Sequence, residues 1–221
     1  MTNTNRTTSP AVAQATGRAL KAEPPRQVDT VAVARHRVLW ESSIDVGHEW
    51  CELDDDRVSP GLRGFVVVVG DDVPWRVEYR IELDPNGLTR RLRIEAEGVS
   101  TPVTIDVSSD RRGRWTRTGT DDVVVDDAAA LDVDLGFSPS TNTLPIRRLG
   151  LEIGETREIA VLWVLFPSFE IVAGRQRYER LGERSWRYRS GTFVGDLVVD
   201  EAGLVETYAE WRAIARTTIA D

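Results

Sequence analysis

From about Val31 onward, apolar and polar side chains alternate with a period of two, the pattern of a strand with one face buried. The plainest case is "WRVEYRIEL", where Trp75, Val77, Tyr79, Ile81 and Leu83 share one face and Arg76, Glu78, Arg80 and Glu82 the other. "DPNG" follows, with Asp84 first, Pro85 second and Gly87 fourth, the composition a type I turn prefers. "LTRRLRIEA" then returns with Leu88, Leu92, Ile94 and Ala96 in step, which predicts a hairpin. The same Asp-x-x-Gly spacing recurs from Asp110 to Gly113 and from Asp200 to Gly203. An EF-hand calcium loop needs several more acidic oxygens at set positions, so these stretches read as turns.

Further strands are predicted at "RHRVLWESS", "HEWCEL", "GFVVVVG", "PVTIDVS", "DVVVD", "ALDVDL", "REIAVLWVLF", "FEIVA", "RQRYERL" and "RSWRYRS", more than ten in one series. No ten-residue helical pattern interrupts them, so neighbouring strands should be antiparallel. Only the final "ETYAEWRAIARTT" suggests a helix. Strand twist accumulates in so wide a sheet, which must curl, split or close. The expected fold is all-β: a single large, strongly curved antiparallel sheet forming an open or closed β-barrel over residues 31–221. The polar residues 1–30, with "EPP", read as a disordered tail.

Two strands break the alternation. "GFVVVVG" over Phe65 to Val69 and "IAVLWVLF" over Ile159 to Phe166 are apolar on both faces, so both are expected to be covered on each side. The chain also holds seven tryptophans. Either Trp40, Trp75, Trp163 and Trp186 plug a wide barrel, or some of them line a cavity for an apolar ligand.

Composition narrows the partners. With 36 acidic against 28 basic side chains, a formal charge of −8 and a pI near 5.0, a polyanion such as nucleic acid is repelled on average. One cysteine, Cys51, excludes an intrachain disulfide and a thiolate metal cluster. No stretch of eighteen apolar residues and no secretory run occurs, so a cytoplasmic protein is expected. His48, Glu49, Cys51 and Glu52 in "GHEWCELDDD" lack the spacing of a zinc protease, and phosphate loops and nucleophile elbows are missing, so neither a metal nor a cofactor is expected.

The densest chemistry lies in "ALDVDLGFSPSTNTLPIRRL". Leu131, Val133 and Leu135 share one strand face, which puts Asp132 and Asp134 together on the other. Two carboxylates on one face could perform acid–base work, because repulsion raises one pKa. They could equally be neutralised by Arg147 and Arg148, whose forks suit bidentate pairing and would clamp the loop. A third reading has the arginines meeting an anionic or sugar headgroup. Asn142 would cap the backbone, Pro145 would hold its predecessor extended, and the stretch would turn the chain at the barrel mouth.

"DVDLGFSPSTNTLPIRRL", with "VEYRIELD", "DRRGRW", "PSFEIVAGRQRYERL", "WRYRSGTF" and "DLVVDEAGLV", resembles the bacterial glycolipid-binding family, once a domain of unknown function. The resemblance covers nearly all of residues 37–211 and implies an open barrel similar to bacterial lipoprotein carriers. It also implies non-enzymatic binding of a glycolipid or other long-chain amphiphile in an apolar barrel cavity. Asp132, Asp134, Asn142, Arg147, Arg148, Gln176 and Tyr178 are the positions that match. The ligand-binding set expected is therefore Trp75, Tyr79, Asn142, Arg147, Arg148, Trp163, Tyr178 and Trp186, with Asp132 and Asp134 clamped by the two arginines. Those carriers work outside the inner membrane, so the missing export signal favours an internal lipid or lipid precursor over lipoprotein shuttling. The rival readings are a hydrolase using Asp132 or Asp134 on a hydrophobic or glycosylated substrate, and a scaffold whose open sheet edge pairs with a partner strand.

Overall fold

The computed structural model describes residues 1–2, 34–43, 47–56, 58–98 and 101–220. The tail expected over residues 1–30 lies outside them, apart from Met1 and Thr2. The first half of the fold runs β1 (Ala34–Ser42), β2 (Gly47–Asp54), β3 (Gly61–Gly70), β4 (Val73–Leu83), β5 (Thr89–Glu97), β6 (Val103–Ser109), β7 (Arg114–Arg117) and β8 (Val123–Asp126). The second runs β9 (Ala130–Leu135), α1 (Thr143–Leu149), β10 (Thr156–Val164), β11 (Ile171–Arg180), β12 (Ser185–Ser190), β13 (Phe193–Val199), β14 (Val205–Tyr208) and β15 (Trp211–Ala220). All fifteen strands form one sheet in the order β8-β7-β6-β5-β4-β3-β2-β1-β15-β14-β13-β12-β11-β10-β9. β5 touches β9 and β8 touches β11, so the sheet curls until its two ends meet, a nearly closed barrel.

The three Asp-x-x-Gly stretches are the same turn. One side-chain oxygen of Asp84 accepts the N–H groups of Asn86 and Leu88 at 2.8 and 3.0 Å. Asp110 does this for Arg112 and Arg114, and Asp200 for Ala202 and Leu204. Gly87, Gly113 and Gly203 then take φ of 80°, 91° and 82°, which only glycine adopts without strain.

One pairing departs from the antiparallel expectation. β9 and β10 run parallel, with Asp132 beside Val161 and Asp134 beside Trp163. A parallel pair needs a crossover to carry the chain back to its starting end. Residues 136–155 supply it, and "TNTLPIRRL" is its core: a 3₁₀ turn over Ser140–Asn142 followed by α1. Leu144 is helical rather than extended, because Pro145 sits in the first helical turn, where its missing N–H costs nothing. Gly150 closes the helix in the left-handed conformation at φ 54°, with Arg147 and Arg148 in the last turn favourably placed against the dipole. The turn expected at the barrel mouth is thus a buried crossover: Ser140 through Ile146 are buried, with Asn142 at one depression of the surface and Ile146 and Arg147 at another.

The C-terminal stretch expected to curl into a helix forms β14 and β15 instead, because β1 and β13 leave hydrogen-bonding edges for them to complete. The two strands predicted from "FEIVA" and "RQRYERL" are one continuous strand, β11. β10 is covered on both faces, as expected, with Ile159, Ala160, Val161 and Leu162 buried in succession. β3 is not. Val66 and Val68 point inward, whereas Phe65, Val67 and Val69 stand on the outer face with 37%, 48% and 38% exposure. An antiparallel sheet needs cover on only one face, and none of the described residues covers the outer face of β3.

Trp40 and Trp115 are fully buried, and their indole N–H groups donate to the carbonyls of Val205 and Ala130 at 2.7 and 2.8 Å. With Leu53, Leu62, Ile81, Leu92 and Leu162 they belong to one continuous core. Leu144 and Ile146 of the crossover join the same core.

Candidate ligand site

Buried polar groups gather where the crossover meets the barrel wall. On β2 the inward residues are Gly47, Glu49, Cys51 and Leu53, so Glu49 enters the interior in phase with apolar neighbours. The Tyr79 hydroxyl donates to Glu49 Oε1 at 2.5 Å, and Ser138 Oγ donates to the same oxygen at 2.8 Å. Ser140 Oγ joins them, 2.7 Å from the Tyr79 oxygen and 2.6 Å from Ser138 Oγ. Tyr79 fits because Gly64 lies opposite it on β3; a Cβ there would stand 2.4 Å from the ring. Glu49 is fully buried with no cation against it, and its Oε2 has no partner among the described residues. Burial raises its carboxyl to about 7 against the pull of these hydroxyls. Burial also raises the Cys51 thiol well above its ordinary value, which leaves it unreactive.

The two aspartates of β9 part company. Asp132 has no exposure and is gripped by the Arg148 fork, Nη2 at 2.5 Å from Oδ2 and Nε at 3.1 Å from Oδ1. Burial raises its carboxyl and the guanidinium opposes the rise. Among the described residues Asp134 meets only neutral donors: Gln176 Nε2 at 2.5 Å, Thr141 Oγ1 at 3.3 Å and the Tyr188 hydroxyl at 3.5 Å. Without a cation, burial pushes it to about 6. Behind it, Tyr178 donates to Asn142 Oδ1 at 2.9 Å and lies 3.4 Å from Gln176 Oε1, tying β11 to the crossover.

Asp134 opens onto a cleft of about 330 Å3 at the end of the barrel where β9 finishes. Asp134, Ser138, Asn142, Ser190 and Glu210 form its polar part, and Trp163, Tyr188, Phe193, Tyr208 and Trp211 its aromatic walls. Tyr188, Phe193 and Tyr208 stand mutually edge to face or tilted, with centroids 5.8–6.1 Å apart. Ser138 is shared between this cleft and the Glu49 cluster.

The predicted binding residues divide. Asn142 and Trp163 line the cleft with Asp134, and Tyr178 supports it. Tyr79 belongs to the buried Glu49 cluster. Trp75 lies in a separate aromatic group with Phe166 and Phe169, centroids 6.2 and 5.1 Å away. Arg147 and Trp186 line another depression, of about 550 Å3, at the opposite end. There Arg147 pairs with Asp55 at 2.5 Å and donates to the Ala202 carbonyl at 2.8 Å. The clamp therefore forms for Arg148 with Asp132, whereas Arg147 holds Asp55. Glu49, Ser138, Tyr188, Phe193, Tyr208 and Trp211 were not anticipated as site residues. Glu49, Tyr188 and Trp211 carry a usable signal, being inward in the period-two phase of their strands; Ser138 sits in a segment with no period to read.

Residues 37–213 match the family described as "Putative glycolipid-binding". The chain belongs to that family. A solved structure of a DUF1089 family protein from Pseudomonas aeruginosa is 30% identical, covers 77% of this chain and 92% of that one, and aligns with a TM-score of 0.64. A β-barrel-like protein of the domain of unknown function DUF1849 from Brucella abortus covers 86% and 98% at 8% identity, with a TM-score of 0.47. No curated protein matches the sequence. No helix among the described residues is long and apolar enough to cross a membrane.

Proposed function

We propose that this family member binds the headgroup of a glycolipid or related long-chain amphiphile in the cleft beside Asp134, without chemical turnover. The observation that carries this reading is the cleft's composition: five aromatic side chains around two carboxylates, an amide and two serine hydroxyls. Flat rings cover the apolar faces of a sugar while a few fixed polar groups orient its hydroxyls, the division of labour usual in small-molecule sites. The buried indole N–H of Trp163 has no partner among the described residues, an unused donor at the wall. At about 330 Å3 the cleft lies near the lower end of the range of roughly 300–1,000 Å3 for ligand pockets. It suits a headgroup, and the alkyl chain leaves past the half-exposed Phe193.

Native mass spectrometry of the full chain purified from its own host, joined to titration with short-chain alkyl glycosides followed by tryptophan fluorescence, tests this. A bound amphiphile, or a saturable response lost in Trp163→Ala, is expected. Protein that is repeatedly empty and unresponsive overturns it. A hydrolase is the second reading, favoured by Asp134 at about 6 and by the contact of Ser138, a cleft residue, with Glu49 at about 7. Asp132 drops out of it, since Arg148 seals that carboxylate. Turnover of a glycoside or acyl ester that Asp134→Asn abolishes would establish it in place of simple binding.

A further inference from the structure

The charge of the cleft is one-sided. Asp134 and Glu210 both line it, and no lysine, arginine or histidine among the described residues does. Elsewhere in the barrel Asp132 is answered by Arg148, Glu52 by Arg37 and Arg63, and Asp106 by Arg91, whereas Glu49, sealed in the interior, has only hydroxyls. Asp134 is answered by an amide and two hydroxyls.

A neutral sugar would take water from that carboxylate and return only hydrogen bonds, whereas a cation would return its charge as well. The walls suit a cation too. Tyr188, Phe193 and Tyr208 enclose one side, and Trp163 and Trp211 also face the space; ring faces attract ammonium groups, most strongly where water is excluded. We infer that the headgroup this cleft takes carries an ammonium, primary as on an amino sugar or quaternary, held against the aromatic faces with Asp134 as its counter-ion. The inference rests on the proposed binding of an amphiphile headgroup and adds its charge.

The test is calorimetric titration of the full chain at pH 7.5 with matched soluble pairs: choline against its uncharged isostere 3,3-dimethyl-1-butanol, and glucosamine against glucose. Sedimentation with phosphatidylcholine, phosphatidylethanolamine and phosphatidylglycerol vesicles adds the lipid-borne form. The charged member of each pair is expected to bind at least tenfold tighter, and Asp134→Asn, confirmed folded by circular dichroism, to abolish that preference. Tyr208→Leu, which removes a ring and no charge, should also reduce it and serves if the Asn variant does not fold. Preference for amine-bearing vesicles with silent soluble amines supports the inference with a lipid as the source; response to both supports it with a free amine also accepted. Equal or tighter binding of the neutral members, unchanged in the variants, overturns the inference and leaves headgroup binding standing. No binding of any member in either form overturns both.

Discussion

Asp132 and Asp134 lie two residues apart on one face of one strand, yet the fold uses them in opposite ways. Asp132 is shut from water and locked by a bidentate arginine from the crossover helix; Asp134 faces a cleft and is held by neutral groups. The difference comes from the crossover. α1 brings Arg148 down beside the first aspartate, while the 3₁₀ turn leaves Thr141 and Asn142 near the second. A carboxylate with a buried cation is a structural joint. One without is a charge kept available, at a cost to the fold. The joint and the vacancy are built by the same ten residues.

The sharpest way to break the comparison is to remove the cation from the joint. Arg148→Ala leaves Asp132 buried with no partner, and losing one member of such a pair costs about 3–5 kcal/mol. Urea denaturation should show a loss of that order. Replacing both members, Asp132→Leu with Arg148→Met, should restore most of it, because the apolar pair carries no desolvation penalty. If the single variant cost no more than a surface substitution, the clamp would not be what fixes α1.

The vacancy should show in the pH dependence of stability. Asp134 rises from 3.8 to about 6 in the fold. Below about pH 4 it is protonated folded and unfolded, and contributes nothing. As pH climbs from 4 to 6 the unfolded chain ionises first, so the folded state loses ground by up to ~3 kcal/mol at 1.36 kcal/mol per pKa unit, less where the cleft admits water. Above pH 6 the deficit is constant. Glu49, raised from 4.5 to about 7, repeats this between about pH 4.5 and 7. Glu52, Asp106 and Asp196 are held below their ordinary values and act in the opposite direction, so each effect must be read as a difference from a variant. The stability of Asp134→Asn and Glu49→Gln minus that of the native chain should rise from pH 4 to pH 7.5. A flat difference would mean that neither carboxyl is strained by burial.

The strand period made much of this legible. Alternation located most of the strands and the first hairpin, its interruption marked a β10 covered on both faces, and the Asp-x-x-Gly spacing marked the three aspartate-led turns. The aspartate pair and its arginines were readable as a cluster, because period two places Asp132 and Asp134 on one face whatever lies beyond. Which arginine reaches which carboxylate was not readable, since Asp55 stands 92 positions before its partner Arg147. The parallel pairing of β9 with β10 left no mark either, because the helix that closes it is seven residues long, with a proline and β-branched threonine and isoleucine. β15 misled for the opposite reason: its alanines and arginines are good helix formers, and the free edges of β1 and β14 overrode that preference. Glu49 was legible in principle, as the inward position of a strand whose other inward residues are apolar or glycine.

If burial is what makes an unpaired charge expensive, an unpaired charge on the outer wall should cost little, and Arg80 is the control. It stands directly between Arg63 on β3 and Arg93 on β5, all three exposed. Its neighbours have carboxylates, Arg63 with Glu52 and Arg93 with Asp106, and Arg80 has none among the described residues. Like charges directly opposite one another are destabilising, and opposite charges in the same geometry contribute roughly 0.2–1 kcal/mol. Arg80→Glu turns both cross-strand contacts attractive and should stabilise the protein by about 0.5–1 kcal/mol in low salt. That gain should shrink toward zero in 1 M salt, where the screening length is about 3 Å. Salt should leave the Arg148→Ala deficit nearly untouched, because Asp132 is beyond the reach of ions. If both effects faded together in salt, the contrast between sealed and open charges would fail.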